Sequence, residues 1–215
     1  MILERVLIIG AGGQGLATSD ILHSSSKYKV IGYVDKNESL HGEFVGEYKV
    51  LGDISIIFNN RDLFDAAIVA IGDNYQRRLY YDLLLKLNIP LINAIHDNTT
   101  ISSRASIGNG VYIGAGAVIG ANVSIGHNTI INCNTTLPHN NMIESHVNIS
   151  PGVHLGGGTV IGEHTFIGIG SSVIQYLKIG KDSIIGAGST VIKDLSDGVV
   201  AVGIPAKVIK VNYKK

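Results

Sequence analysis

Gly10, Gly12 and Gly15 stand in the spacing G-x-G-x-x-G, directly after the apolar run 6–9, and Asp35 lies twenty residues past the third glycine. Such a turn, with Gly13 inside it, lets the backbone approach a diphosphate where the following helix exposes unbonded N–H groups and the positive end of its dipole. A carboxylate at that distance accepts from a ribose hydroxyl or a base N–H. The plainer reading is a turn that needs glycine for its backbone angles. Elsewhere the chain carries eight histidines and one cysteine, Cys133. An imidazole, with an ordinary pKa of about 6.5, suits removal of a proton from an amine or hydroxyl near neutral pH. Cys133 sits in no nucleophile motif and reads as a bystander thiol.

The elements around the glycine turn form a small parallel α/β unit. Strands are expected at 6–9, 29–34, 66–71 and 90–95, and helices from the turn to about Ser24 and over 73–87. Fewer than 95 residues hold one mononucleotide half of a dinucleotide fold and not both, so a nucleotide diphosphate such as a nucleotide-linked sugar fits better than NAD.

From Ile95 the grammar changes. An aliphatic residue returns every sixth position through Ile101, Ile113, Ile131, Ile149, Ile167 and Ile185 to Val191, seventeen positions without a break. Glycine follows nine of them, and the residue two before is usually small or β-branched, as at Ala105, Val111, Ala117, Val123, Thr129, Val147 and Thr165. A period of six is neither 3.6 nor 2. It fits a prism with faces six residues wide, closing one coil in eighteen residues, with coils stacked about 4.8 Å apart. The chain therefore divides into 1–94 and 95–215.

Within the prism one stretch breaks the rule. Between 132 and 150 the glycine after the aliphatic is replaced four times running, by Asn132, Pro138, Glu144 and Ser150. A repeat departs from its own pattern where function overrides packing. His139 lies in that stretch, and one coil above it, at +18, is Gly157, which leaves room for a groove and for backbone amides facing a ligand. His146 and His164 are eighteen apart and should stack as solvated turn residues; two histidines alone are too few for a metal site.

The chain resembles, over nearly its whole length, a sugar acetyltransferase family of the hexapeptide-repeat superfamily. Its members include the UDP-amino-sugar N-acetyltransferases of bacterial glycan synthesis and the sialic acid O-acetyltransferases. The resemblance rests on GAGGQG, on Ala70-Ile71-Gly72-Asp73-Asn74 with Arg77 and Arg78, on Pro138-His139 twelve residues before Pro151-Gly152, on the hexapeptides, and on the exit Val202-Gly203-Ile204-Pro205-Ala206-Lys207. It implies a Rossmann-like front domain that holds the nucleotide of the sugar, followed by a left-handed parallel β-helix. It also implies a homotrimer that binds acetyl-CoA between neighbouring subunits. Asn74 and Arg77 become nucleotide contacts, although a strand end and a capped helix explain them equally well. His139 becomes the general base. Asn140 stands where the family often has an acidic residue, and Asn148 where a histidine usually bonds acetyl-CoA. Gly157, Ile169 and Ala187 are further expected cofactor positions, and no metal is implied.

The expected reaction is direct acetyl transfer from acetyl-CoA to the amino group of a nucleotide-linked sugar, with O-acetylation of a hydroxyl as the alternative. A nicotinamide-dependent oxidoreductase would leave the hexapeptides unexplained, and a scaffold would leave the break around His139 unexplained. Lysine plus arginine equals aspartate plus glutamate at 17 each, which argues against nucleic acid or an acidic membrane as partner. No apolar run approaches the ~20 residues of a membrane span, and the first residues read as strand and turn rather than a secretion leader, so a cytoplasmic setting is expected. Lys207, Lys210, Lys214 and Lys215 form a basic tail that either meets CoA phosphates or stays solvated.

Overall fold

The computed structural model describes residues 3–212. The chain divides into two compact units, 1–94 and 95–215.

In the front unit β1 (Glu4–Ile9) runs into α1 (Gly13–His23), then β2 (Tyr28–Val34), the hairpin β3 (Phe44–Val45) and β4 (Tyr48–Gly52), a short α2 (Ile56–Asn59), β5 (Ala66–Val69) and α3 (Asn74–Lys86). The sheet order is β3-β4-β2-β1-β5, parallel except for the edge pair β3–β4. Val6 to Ile9 and Ala66 to Val69 are buried, as expected of central parallel strands covered on both faces. The hairpin and α2 carry too weak a hydrophobic alternation to read from sequence. The strand expected over 90–95 shortens to Ala94–Ile95, with Leu91 making one isolated bridge to Ala67. Because β1 lies between β2 and β5, the loops after these three strands open together at the point where the strand order reverses. That is the usual ligand crevice of open α/β sheets.

The second unit is a parallel β-helix with three flat sheets. Along one of them Ile113, Ile131, Ile149, Ile167 and Ile185 are direct partners, each eighteen residues from the last. The other two sheets pair Ile119 with Leu137, and Ile125 with Ile143 and Ile161. These side chains, from Ile113 to Val191, form one continuous buried core, with Ile95, Ile101 and Ile107 half-buried at its first coil. The hexapeptide phase read from the sequence is thus the register of the fold.

Each corner has a second period-six rule. From Gly110 to Gly188, every sixth residue has a positive φ: Asn122 at 59°, Asn128 at 54°, Asn134 at 56°, Asn140 at 54°, His146 at 62°, His164 at 58°, Tyr176 at 61° and Asp182 at 56°, with glycine at the others. This left-handed conformation turns the chain between faces, and asparagine and glycine reach it at least cost. Past the last coil, the strand 199–202 pairs antiparallel with 207–211, so the segment from Val202 to Lys207 reverses the chain at the end of the stack. No helix among the described residues is long and apolar enough to cross a membrane.

Candidate active site

The crevice of the front unit is lined by Gly10, Gly12 and Gly13, by Asp35 and Lys36, by Ala70 to Gly72, and by Gln14, Gln76 and Tyr80, among others. Two glycines of the motif are required by packing. A Cβ on Gly15 would sit 2.1 Å from the Gly10 carbonyl oxygen, and one on Gly10 would sit 2.7 Å from that of Ala70. Gly12 and Gly13 face open space, with nothing within 4 Å of an added Cβ. The first pair closes the turn, and the second leaves its surface bare for a ligand. α1 begins with neither a side-chain cap nor an acidic residue in its first turn, which leaves its positive end available to an anion.

Asp35 lines the crevice, but its carboxylate already has duties. Oδ2 accepts the Ala11 N–H at 2.7 Å and Oδ1 accepts the Asn37 N–H at 2.9 Å. It ties the glycine turn to the end of β2, and whatever it offers a ligand comes from its remaining lone pairs.

Arg77 and Asn74, expected as ligand contacts, do not line the crevice. Arg77 is fully buried and donates to the carbonyl oxygens of Ile71 at 3.0 Å and Gly72 at 3.3 Å, and to Asn74 Oδ1 at 2.8 Å. Burial strips water from the guanidinium and pushes it down to about 9. The pair holds the loop that forms one wall, while Asp73 caps α3 through the Tyr75 and Gln76 N–H groups. Sequence reasoning missed Gln14, whose side-chain nitrogen is buried in the crevice wall with no hydrogen-bond partner. It also missed Lys36 and Gln76, which bond each other at 3.1 Å across the mouth. A buried amide nitrogen left unbonded is costly unless a ligand supplies the acceptor.

On the β-helix, His139 ends the strand Thr136–His139 at a corner and is exposed. Its imidazole lies directly over Gly157: a Cβ there would come 2.2 Å from Cε1 and 2.4 Å from Nε2 of the ring. The groove expected above Gly157 is therefore the seat of the histidine itself. Neighbouring backbone is also committed, since the Gly158 N–H donates to the His139 carbonyl at 2.9 Å. Asn141, unnoticed in the sequence, pins the seat from below. It is buried, and its Nδ2 donates to the Gly156 carbonyl at 2.7 Å and to Thr159 Oγ1 at 2.6 Å. Asn140 occupies the positive-φ position, and its Nδ2 lies 3.2 Å from His139 Nδ1.

The other expected cofactor residues lie elsewhere on the prism. Ile169, 58 % exposed, and Ala187, also exposed, are one coil apart on the next edge. That edge is separated from His139 by the face that carries Thr136, His154 and Ser172. Asn148 is on another face, between Ile130 and Phe166, and is 7 % exposed, which leaves little of it for a ligand to meet. One chain does not bring His139, Asn148 and Ile169 together.

His146 and His164 do stack, with centroids 5.2 Å apart and planes 15° from parallel, but they are not solvated. They are 6 % and 7 % exposed in a corner ladder: Asn128 contacts His146 Nδ1 at 2.8 Å and Asp182 contacts His164 Nδ1 at 3.2 Å. With Glu163 they form a cluster whose donor atoms lie within 4.8 Å of one another. Lys207 and Lys210 are on the exposed return strand, and Lys214 and Lys215 lie outside the described residues.

A coil stack of hexapeptides with an imidazole seated on its edge defines the class of hexapeptide-repeat acyltransferases. Residues 5–84 match the PglD N-terminal domain, and 94–127, 104–139 and 158–193 match the bacterial transferase hexapeptide repeat. Perosamine N-acetyltransferase from Caulobacter crescentus, solved in complex with CoA and GDP-perosamine, is 32 % identical over 97 % of this chain and 98 % of its own, with a TM-score of 0.91; the structure is of a variant with one histidine changed to asparagine. The acetyltransferase domain of PglB from Neisseria gonorrhoeae is 31 % identical over 96 % of this chain and 100 % of its own, with a TM-score of 0.89. WeeI from Acinetobacter baumannii is 27 % identical over 95 % and 99 %, with a TM-score of 0.84. No curated protein matches the sequence. The chain belongs to the sugar acetyltransferase family of the hexapeptide-repeat superfamily, an α/β N-terminal domain followed by a left-handed parallel β-helix.

Proposed function

We propose that this protein transfers the acetyl group of acetyl-CoA to the amino group of a nucleotide-linked amino-sugar, with His139 as general base. The observation that carries the reading is the exposed imidazole seated over Gly157 on a fold shared, over 97 % of the chain, with an enzyme solved with CoA and GDP-perosamine. In this reading His139 Nε2 takes the proton as the sugar nitrogen attacks the thioester carbon. The new C–N bond forms, the C–S bond then breaks, and His139 returns the proton to the departing thiolate. No residue of the chain becomes acylated.

The front crevice holds the nucleotide, its diphosphate over Gly12 and Gly13 at the start of α1. The β-helix works as a homotrimer in the cytoplasm. The division of His139 and Ile169 between two edges supports that assembly, because a second copy supplies the edge one copy cannot. O-acetylation of a sugar hydroxyl is the second reading, since the same base would serve it.

Gln14 offers a direct test of the nucleotide site. GDP or UDP should raise the melting temperature of the wild type. Gln14→Leu should weaken that binding about tenfold, the worth of one hydrogen bond to an anionic oxygen at roughly 1.5 kcal/mol. Equal binding by both proteins would remove the nucleotide from this crevice.

A further inference from the structure

We infer that Asn122 is a positioning residue for the base, acting through Asn140 on the tautomer of His139; the inference rests on the proposed role of His139. Asn122 lies one coil below Asn140 on the same corner, both at positive φ, and its Nδ2 donates to Asn140 Oδ1 at 3.1 Å. Asn140 Nδ2 in turn meets His139 Nδ1 at 3.2 Å. The three side chains form one line that ends on the imidazole.

An amide nitrogen can only donate, so in this arrangement His139 Nδ1 accepts and the proton of the neutral ring sits on Nε2. That tautomer presents a donor to a substrate and has no Nε2 lone pair to act as base. The amides have a second self-consistent arrangement, because oxygen and nitrogen exchange places with little change of shape. Turned together, Asn140 Oδ1 accepts from Nδ1–H and Asn140 Nδ2 donates to Asn122 Oδ1. The proton then rides on Nδ1, Nε2 carries the lone pair, and the imidazolium formed during transfer keeps its bond to Asn140. A carboxylate next to the base accepts in either case and needs no second residue. An amide's orientation is coupled to that of the group at its other end, and Asn122, bonded there, makes the two amides turn as a pair.

Two substitutions at position 122 separate orientation from mere packing. Aspartate only accepts, so Asn122→Asp makes Asn140 Nδ2 donate to it and turns Oδ1 toward His139. Glycine keeps the positive φ without strain but removes the amide. We expect Asn122→Gly to lower kcat about tenfold with KM unchanged, a part of the 10²–10⁴ a positioned base contributes. Asn122→Asp should keep kcat at or above wild type, and the acid limb of its kcat/KM profile should move to higher pH, because the added negative charge favours the imidazolium. In protein labelled with ¹⁵N-histidine, the resonances that vanish in His139→Ala should report Nδ1–H in Asn122→Asp.

Wild-type kcat in Asn122→Gly beside an impaired His139→Ala would overturn the relay and leave the base in place. Equal losses in both Asn122 variants would also overturn it, reducing Asn122 to a corner residue. Full activity in His139→Ala would overturn the base and the relay with it.

Discussion

Replacing Gly157 with alanine is expected to lower kcat about as much as removing the base, while leaving the melting temperature where it was. The added Cβ would lie 2.2 Å from His139 Cε1 and 2.9 Å from Nδ1, so the imidazole must leave its seat. The three atoms nearest to that Cβ all belong to the ring, and His139 is exposed, so the coil has little reason to deform. Gly157 is itself buried beneath that ring, and what must move is an exposed side chain rather than the backbone. The loss in rate should be about 10²-fold, at the lower end for general bases, because Asn140 orients the ring without the charge that would raise its basicity. Steady-state kinetics beside a thermal melt checks both halves. Unchanged kinetics would mean that the ring position over Gly157 has no part in the reaction.

Arg77→Ala is expected to destabilise the front unit by about 3 kcal/mol and to abolish nucleotide protection. Two effects oppose each other. Burial alone makes the charge expensive, as the fall of the guanidinium to about 9 shows, so removing it recovers part of that cost. Against this, the Ile71 and Gly72 carbonyls and the Asn74 amide lose their donor, at about 1–3 kcal/mol for each group left unsatisfied. The vacated volume adds a cavity, which a large buried side chain leaves at a cost of several kcal/mol. The second group of effects wins. Ile71 and Gly72 also line the crevice, so its wall should give way first. Urea unfolding of the whole protein, with and without GDP, reads the stability and the site together; an unshifted midpoint would refute the architectural role.

The two halves of the chain differ in how plainly they announce themselves. The β-helix was legible because its inward aliphatics obey one period without exception, with small or β-branched residues such as Val111, Ala117, Val123, Val147 and Val153 joining them in the core. Its second period escaped notice because it is a backbone requirement met by Gly, Asn, His, Tyr and Asp alike, so composition blurs what φ makes uniform. Asn140 stands on one of these corners, which hold asparagine and aspartate alike, so the backbone angle does not decide between an amide and a carboxylate there. Gly157 was found by its eighteen-residue offset from His139, but an offset gives adjacency and not what fills the space. Arg77 misled because charged residues are usually solvated, and only the fold shows three acceptors converging on a buried one. Gln14 sat inside a glycine motif whose glycines drew the attention, and nothing in its type signals an unbonded nitrogen. The ligand-facing division between Gly10 with Gly15 and Gly12 with Gly13 likewise needs the carbonyls they approach.

The most direct measurement is thiol release from acetyl-CoA with a panel of UDP-, dTDP- and GDP-linked amino-sugars, run with the wild type and His139→Ala. Turnover with an amino-sugar, falling about 10²-fold in the variant, is the predicted result. Silence with every amine while a sugar hydroxyl is acetylated, or equal rates in both proteins, would contradict it.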